Sequence, residues 1–135
     1  MSDAAQWPWL LFVYGTLRPE ATPAALRSAL GRTRRLGLGR LPGRLYHLGG
    51  YPAFVPEEGC GTTVRGEVLG LPRDPSLLAL LDDYEGHAFE RVESRVLLDS
   101  GQTCRCWVYV YTRDPGPAPV IASGDYLAPS APSKD

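Results

Sequence analysis

Apolar and polar positions alternate along this chain in short stretches punctuated by proline and glycine, and the punctuation predicts more strands than helices. Leu10 to Tyr14 is a β-branched and aromatic run of the kind found in buried strands, and Gly15 ends it at a sharp turn. Thr22-Pro23 predicts a helix start, with Thr22 as N-cap and Pro23 at the first helical position; the helix runs over Ala24 to Leu30 and stops at Gly31. Leu36 to Leu48, interrupted by Gly37, Gly39, Pro42 and Gly43, reads as a bent strand or two short ones turning a barrel corner. Gly49-Gly50 is a tight turn before the short apolar strand Tyr51 to Val55. Thr62 to Leu71 is a further strand, within which Gly66 marks a bulge or a close backbone approach.

Asp74-Pro75 repeats the cap-then-proline signal and opens a helix over Ser76 to Tyr84, with Leu77, Leu80, Leu81 and Tyr84 as its apolar stripe. Val92 to Leu98 and Thr103 to Tyr111 alternate with period two about the turn Asp99-Ser100-Gly101-Gln102, which predicts an antiparallel hairpin. On its second strand Trp107, Tyr109 and Tyr111 share one face; Cys104, Cys106, Val108 and Val110 share the other. Pro115 to Pro119 is an extended connector and Val120 to Leu127 returns to order around Gly124-Asp125-Tyr126. Ala128 to Asp135 reads as a disordered tail behind one domain over residues 1–127.

Thirteen prolines and fifteen glycines in 135 residues strengthen the β-rich reading, and the length suffices for one core without staples. A formal net charge of -1, with arginines mixed among acids, gives no electrostatic footprint for nucleic acid or an anionic membrane. The densest basic patch, Arg32 to Arg35, reads as a solvated loop. Three cysteines leave one over in any pairing scheme, and neither Cys104 and Cys106 nor the isolated His47 and His87 form a metal-ligand motif. No basic leader or long apolar window is present, so a reducing cytoplasmic location is the expectation. Oligomeric state is not legible.

Two places have candidate chemistry. Peptide N–H groups at the Gly15 turn suit a carboxylate or a developing oxyanion, although any strand enters a turn in this way. Glu85 lies at a helix carboxyl end, where backbone carbonyls already present partial negative charge. Asp82 and Asp83 in the same turn, with burial under Tyr84, would push a carboxyl above its ordinary value of about 4.3, as suits a group that takes and returns a proton. The plainer reading of the three acids is a solvated helix end. Trp107, Tyr109 and Tyr111 read as core or as a pocket wall, and Asp125 as a turn former. No nucleophile elbow is present, and a lone loop histidine such as His87 carries no assignment.

Taken in order, four marks resemble the γ-glutamylcyclotransferase superfamily, in particular its AIG2-like branch, which includes γ-glutamylamine cyclotransferase. They are Phe12-Val13-Tyr14-Gly15-Thr16-Leu17-Arg18; Gly50-Tyr51-Pro52-Ala53; Val64-Arg65-Gly66-Glu67-Val68 followed by Leu81-Asp82-Asp83-Tyr84-Glu85-Gly86; and Trp107-Val108-Tyr109-Val110-Tyr111. The resemblance spans about Leu10 to Tyr126. It implies an α+β fold, a small mixed β-barrel with a few flanking helices and a pocket at one end. It implies Tyr14, Gly15, Thr16 and Leu17 as the substrate-binding loop and Glu85 as the catalytic residue, with no cofactor and no metal. Phe89 stands where relatives commonly have Tyr, so the ring remains and a hydroxyl is lost. The implied activity is release of 5-oxoproline from a small γ-glutamyl substrate, with a cyclotransferase-like lyase in a biosynthetic pathway as a variant. A binding module without turnover on the same barrel is the alternative.

Overall fold

The computed structural model describes residues 7–15, 17–18 and 22–127. Thr16 and the stretch from Ala128 onward, to which the loop and tail expectations refer, lie outside the described residues. The elements run β1 (Trp9–Val13), α1 (Ala24–Leu30), β2 (Arg34–His47), β3 (Pro52–Pro56), β4 (Thr63–Leu71), α2 (Pro75–Glu85), β5 (Phe89–Leu98) and β6 (Thr103–Tyr111). Strand order is β3-β2-β4-β1-β6-β5, and a further β2–β5 pairing closes five of the strands into a barrel. The barrel is mixed: β1 runs parallel to β6, and every other pair is antiparallel.

The broken pattern of β2 is one bent strand. Its first part pairs with β4 as far as Pro42↔Thr63, and from Gly43↔Pro56 onward it pairs with β3. Its start lies two residues earlier than expected, because Arg34 and Arg35 already pair with β4. The basic patch therefore runs from a turn at Arg32 and Thr33 into the strand, with its arginines exposed. Arg32 pairs with Asp74 at 2.5 Å, joining the end of α1 to the start of α2, and Arg35 pairs with the buried Glu67 at 2.5 Å. Neither acid is near the patch in sequence.

β1 shows why its apolar run is continuous. Phe12 points into the barrel among Leu41, Leu45, Phe54, Val68, Val96 and Val108, while Leu11 and Val13 point outward under Leu26, Leu77, Leu78 and Leu81 of the helices. Both faces of the strand are buried. Where β4 crosses β1, Gly66 permits the expected close approach: a Cβ there would lie 2.5 Å from the Val13 carbonyl oxygen and 2.6 Å from the Phe12 ring. Gly66→Ala forces a backbone shift, and we expect about 1–3 kcal/mol of destabilisation, read as a lower urea midpoint at unchanged slope.

Both helix starts obey the proline signal, with one correction. Asp74 caps α2 by accepting from the Ser76 N–H at 3.0 Å. At α1 the cap position is Pro23 itself and no side chain caps it, because the Thr22 hydroxyl turns back to donate to the Arg18 carbonyl at 2.9 Å. The stripe of α2 is also rotated from the expected one. Leu77, Leu78 and Leu81 are buried, whereas Leu80 and Tyr84 are exposed. At about 100° per residue, Glu85 falls on the same face as Leu77, Leu78 and Leu81.

After β6 the chain returns across the barrel. The Pro119 carbonyl accepts from His47 N–H at 2.8 Å, Ile121 N–H donates to the Leu45 carbonyl at 2.7 Å, and the Gly124 carbonyl accepts from Arg65 N–H at 2.7 Å. Among the described residues no helix is long and apolar enough to cross a membrane.

Candidate active site

One end of the barrel opens into a cavity of about 380 Å³. Five separate pieces of chain wall it: the end of β1 with the Gly15 turn, the β2–β3 turn at Gly50 to Pro52, the last residues of α2, Phe89 at the start of β5, and Tyr109 of β6. Of the expected site residues, Tyr14, Gly15, Leu17 and Glu85 all line it. Thr16 lies between described residues that do. The sequence separates Gly15 from Glu85 by most of a domain; the barrel places them on one cavity.

The Gly15 turn is built by local and distant contacts. Arg18 N–H donates to the Gly15 carbonyl at 3.0 Å, which closes the turn. Leu17 is buried in the outer apolar cluster, and the Thr22 hydroxyl holds the Arg18 carbonyl. The Arg18 guanidinium, almost fully buried, donates to Asp125 at 2.8 Å. Asp125 also accepts from Leu127 N–H at 3.0 Å, so it forms a turn as expected and anchors the loop as well. At Gly15 a Cβ would lie 2.5 Å from Cγ of Pro52. The glycine is required by the proline ring packed on it.

Tyr14 is buried, its ring 5.6 Å from that of Phe54, and its hydroxyl donates to the Tyr109 carbonyl at 2.6 Å. Burial raises its pKa well above the ordinary value, and the nearby Glu85 raises it further, so it remains a neutral donor. The Tyr109 hydroxyl in turn donates to Asp82 at 2.6 Å, and Arg91 donates to the two oxygens of Asp82 at 2.9 and 3.2 Å. Arg91 lies over the Trp107 ring at 4.3 Å. Tyr109 thereby joins the end of β1, through its carbonyl, to the last turn of α2, through its hydroxyl.

Glu85 is half-buried in the cavity wall, and burial raises its carboxyl from 4.5 to about 7. The cause corrects the expectation. Asp82 is held low by the Arg91 hydrogen bonds, and the Tyr109 hydroxyl adds to them. Asp83 faces solvent and Tyr84 is partly exposed. Desolvation alone makes Glu85 a group that titrates near neutrality, because the rotated helix points it at the barrel instead of at water.

Tyr51 and Pro52, marked in the sequence only as part of a motif, and Tyr109, read as core or pocket wall, all line the cavity. The aromatic face of β6 was visible, but its members part company: Tyr109 enters the cavity, Trp107 stacks on Trp9 at 5.5 Å, and Tyr111 packs on Phe89 at 5.3 Å. His87 is exposed and outside the cavity wall. Cys104 and Cys106 face the barrel interior with their Sγ atoms 3.5 Å apart, and all three cysteines are free. Among the described residues no group of His, Cys, Asp or Glu has the arrangement of a metal site.

The closed mixed barrel with its two helices has counterparts among solved structures. YkqA from Bacillus subtilis matches with 25% identity and a TM-score of 0.68 over 87% of this chain, which spans 39% of YkqA. Protein ytfP from Escherichia coli matches with 33% identity and a TM-score of 0.60 over 87% of this chain and 96% of that one. An AIG2-like protein from Mus musculus shares the fold at 24% identity and a TM-score of 0.65, over 79% of this chain and 80% of that one. The chain belongs to the family Gamma-glutamyl cyclotransferase, AIG2-like, whose profile matches residues 11–128. No curated protein matches it.

Proposed function

We propose that this protein is a γ-glutamyl cyclotransferase that releases 5-oxoproline from a γ-glutamyl amine or a related γ-glutamyl amide. The observation that carries this reading is the half-buried Glu85 carboxyl, pushed up to about 7 by burial, on the same cavity as the glycine turn. In the reaction the substrate's α-amine attacks its own γ-carbonyl carbon; the new C–N bond closes a five-membered lactam, and the old amide C–N bond breaks. Glu85 takes the proton from the attacking nitrogen and delivers it to the departing amine. A carboxyl near pH 7 is matched to both transfers.

N–H groups of Gly15, Thr16 and Leu17 anchor the glutamyl carboxylate or steady the tetrahedral oxyanion, a role worth about 2.7–4 kcal/mol per donor. Tyr14 has its hydroxyl committed to Tyr109, so its part is to hold the turn in place. Ring closure occurs within one molecule, and folding the substrate into attack geometry supplies up to about 7–11 kcal/mol. No step of this chemistry calls for a cofactor.

The test is 5-oxoproline release from γ-glutamyl amines, dipeptides and glutathione, with Glu85→Gln as the control. Release by the wild type that the variant lacks is the expected result. Equal release by both removes Glu85 from the mechanism, and no release from any substrate favours a binding module.

A further inference from the structure

We infer that the amine released from this cavity has an apolar substituent with no charge of its own, of the benzylamine kind, and is not an amino acid or a polyamine. The inference rests on the cyclotransferase reading above and concerns the half of the substrate that leaves. A γ-glutamyl group brings one ammonium and one carboxylate, and these take up Glu85 and the turn amides. What remains for the far side of the scissile amide is the aromatic part of the wall, Tyr51, Tyr84 and Phe89.

Among the described lining residues, Glu85 is the sole charged side chain. Arg18 pairs through Nη1 with Asp125 and leaves Nε without a partner, Arg91 is held by Asp82 and the Trp107 ring, and neither lines the cavity. A leaving group with its own carboxylate, as in any γ-glutamyl amino acid, sets a second anion against aromatic rings and beside Glu85, with no cation among the described lining residues to receive it. Burying such a charge unpaired is strongly unfavourable. A leaving group with an ammonium fails for a different reason. Its charge has to leave water for an apolar wall, and the one carboxylate there is already taken by the glutamyl ammonium.

The aromatic side offers positive complementarity to an apolar group. Tyr51 and Tyr84 remain 43% and 38% exposed at the rim, which leaves apolar area for a ligand to cover. Phe89 packs its ring between Tyr51 at 6.0 Å and Tyr111 at 5.3 Å, so the wall is stiff and continues outward from the cavity. A flat hydrophobic amine fits against it.

The experiment compares γ-glutamyl benzylamide, γ-glutamylglycine and γ-glutamylputrescine in two measurements: 5-oxoproline release by the wild type, and calorimetric binding to Glu85→Gln. We expect kcat/KM for the benzylamide to exceed the other two by at least about tenfold, with the same order in binding. Tyr51→Ala, a change at a rim residue, lowers the benzylamide-to-glycine ratio by about tenfold. Equal or better use of the glycine or putrescine compound overturns the inference and keeps the cyclotransferase reading. Selective binding of the benzylamide without 5-oxoproline from any compound keeps the apolar subsite and overturns the reading it was built on. Neither release by the wild type nor binding of any of the three removes both.

Discussion

Glu85→Gln is expected to abolish most turnover and at the same time to make the fold more stable above neutral pH. General acid–base groups contribute about 10²–10⁴-fold to rate, and a loss in that range is the expected kinetic effect. The stability effect follows from the raised carboxyl. Below pH 4.5 the glutamic acid is protonated in both folded and unfolded chains and contributes no difference. Between 4.5 and about 7 the folded chain keeps a proton that the unfolded chain gives up, so stability falls as pH rises through this window. Above 7 the full cost of holding a desolvated carboxylate is present. Its upper bound is about 3 kcal/mol, and about 1–2 kcal/mol remains once water reaching the open cavity is allowed for. Glutamine removes that cost. The variant's melting temperature should exceed the wild type's by about 4–8 °C at pH 8 and equal it at pH 4. The wild-type kcat/KM should rise about tenfold per pH unit up to a bend near 7. A gain in melting temperature that is the same at both pH values would show that Glu85 is not desolvated.

Gly15→Ala is the second large effect. The added methyl meets the Pro52 ring at 2.5 Å, so either the turn or the β2–β3 turn moves. A displacement of this kind in positioning groups costs about 10²-fold in rate, and the strain costs about 1–3 kcal/mol in stability. Pro52→Ala removes the two ring carbons that the methyl strikes while keeping Cβ, which stands 3.9 Å away. The double variant Gly15→Ala/Pro52→Ala should therefore recover about tenfold of the lost kcat/KM. Wild-type activity in Gly15→Ala alone would detach the turn from the reaction, and an unrescued double variant would place the cause of the loss elsewhere than the proline.

These two variants touch residues that the chain already marked, yet the reasons for their importance lie in different places. The Gly15 turn was legible as the end of a buried strand, and it was legible as a functional loop only through its company with three later motifs. The demand for glycine there comes from Pro52, which arrives from another strand. Glu85 was legible as an acid out of place at a helix end. A raised carboxyl was expected from the charges of Asp82 and Asp83 together with burial under Tyr84; burial alone raises it, because α2 turns Leu78 inward where Leu80 and Tyr84 were expected to be.

Short-range physics explains what could be read along the chain. A proline after an aspartate, a glycine after an apolar run and a period-two alternation around Asp99-Ser100-Gly101-Gln102 constrain backbone within a few residues, and they set the strands, the helices and the hairpin. The resemblance of ordered motifs extended this to the barrel and to the pair Gly15 and Glu85. Contacts between distant residues carry no such local signature. Tyr14 reaches the Tyr109 carbonyl across 95 positions, and Arg18 reaches Asp125 across 107. Asp82 looks like a free surface acid until Arg91 and Tyr109 are brought to it by the β5–β6 hairpin. Which face of α2 is buried, how far Glu85 is removed from water, and which aromatic of β6 enters the cavity were all decided by packing, since each depends on where the closed barrel sets its neighbours.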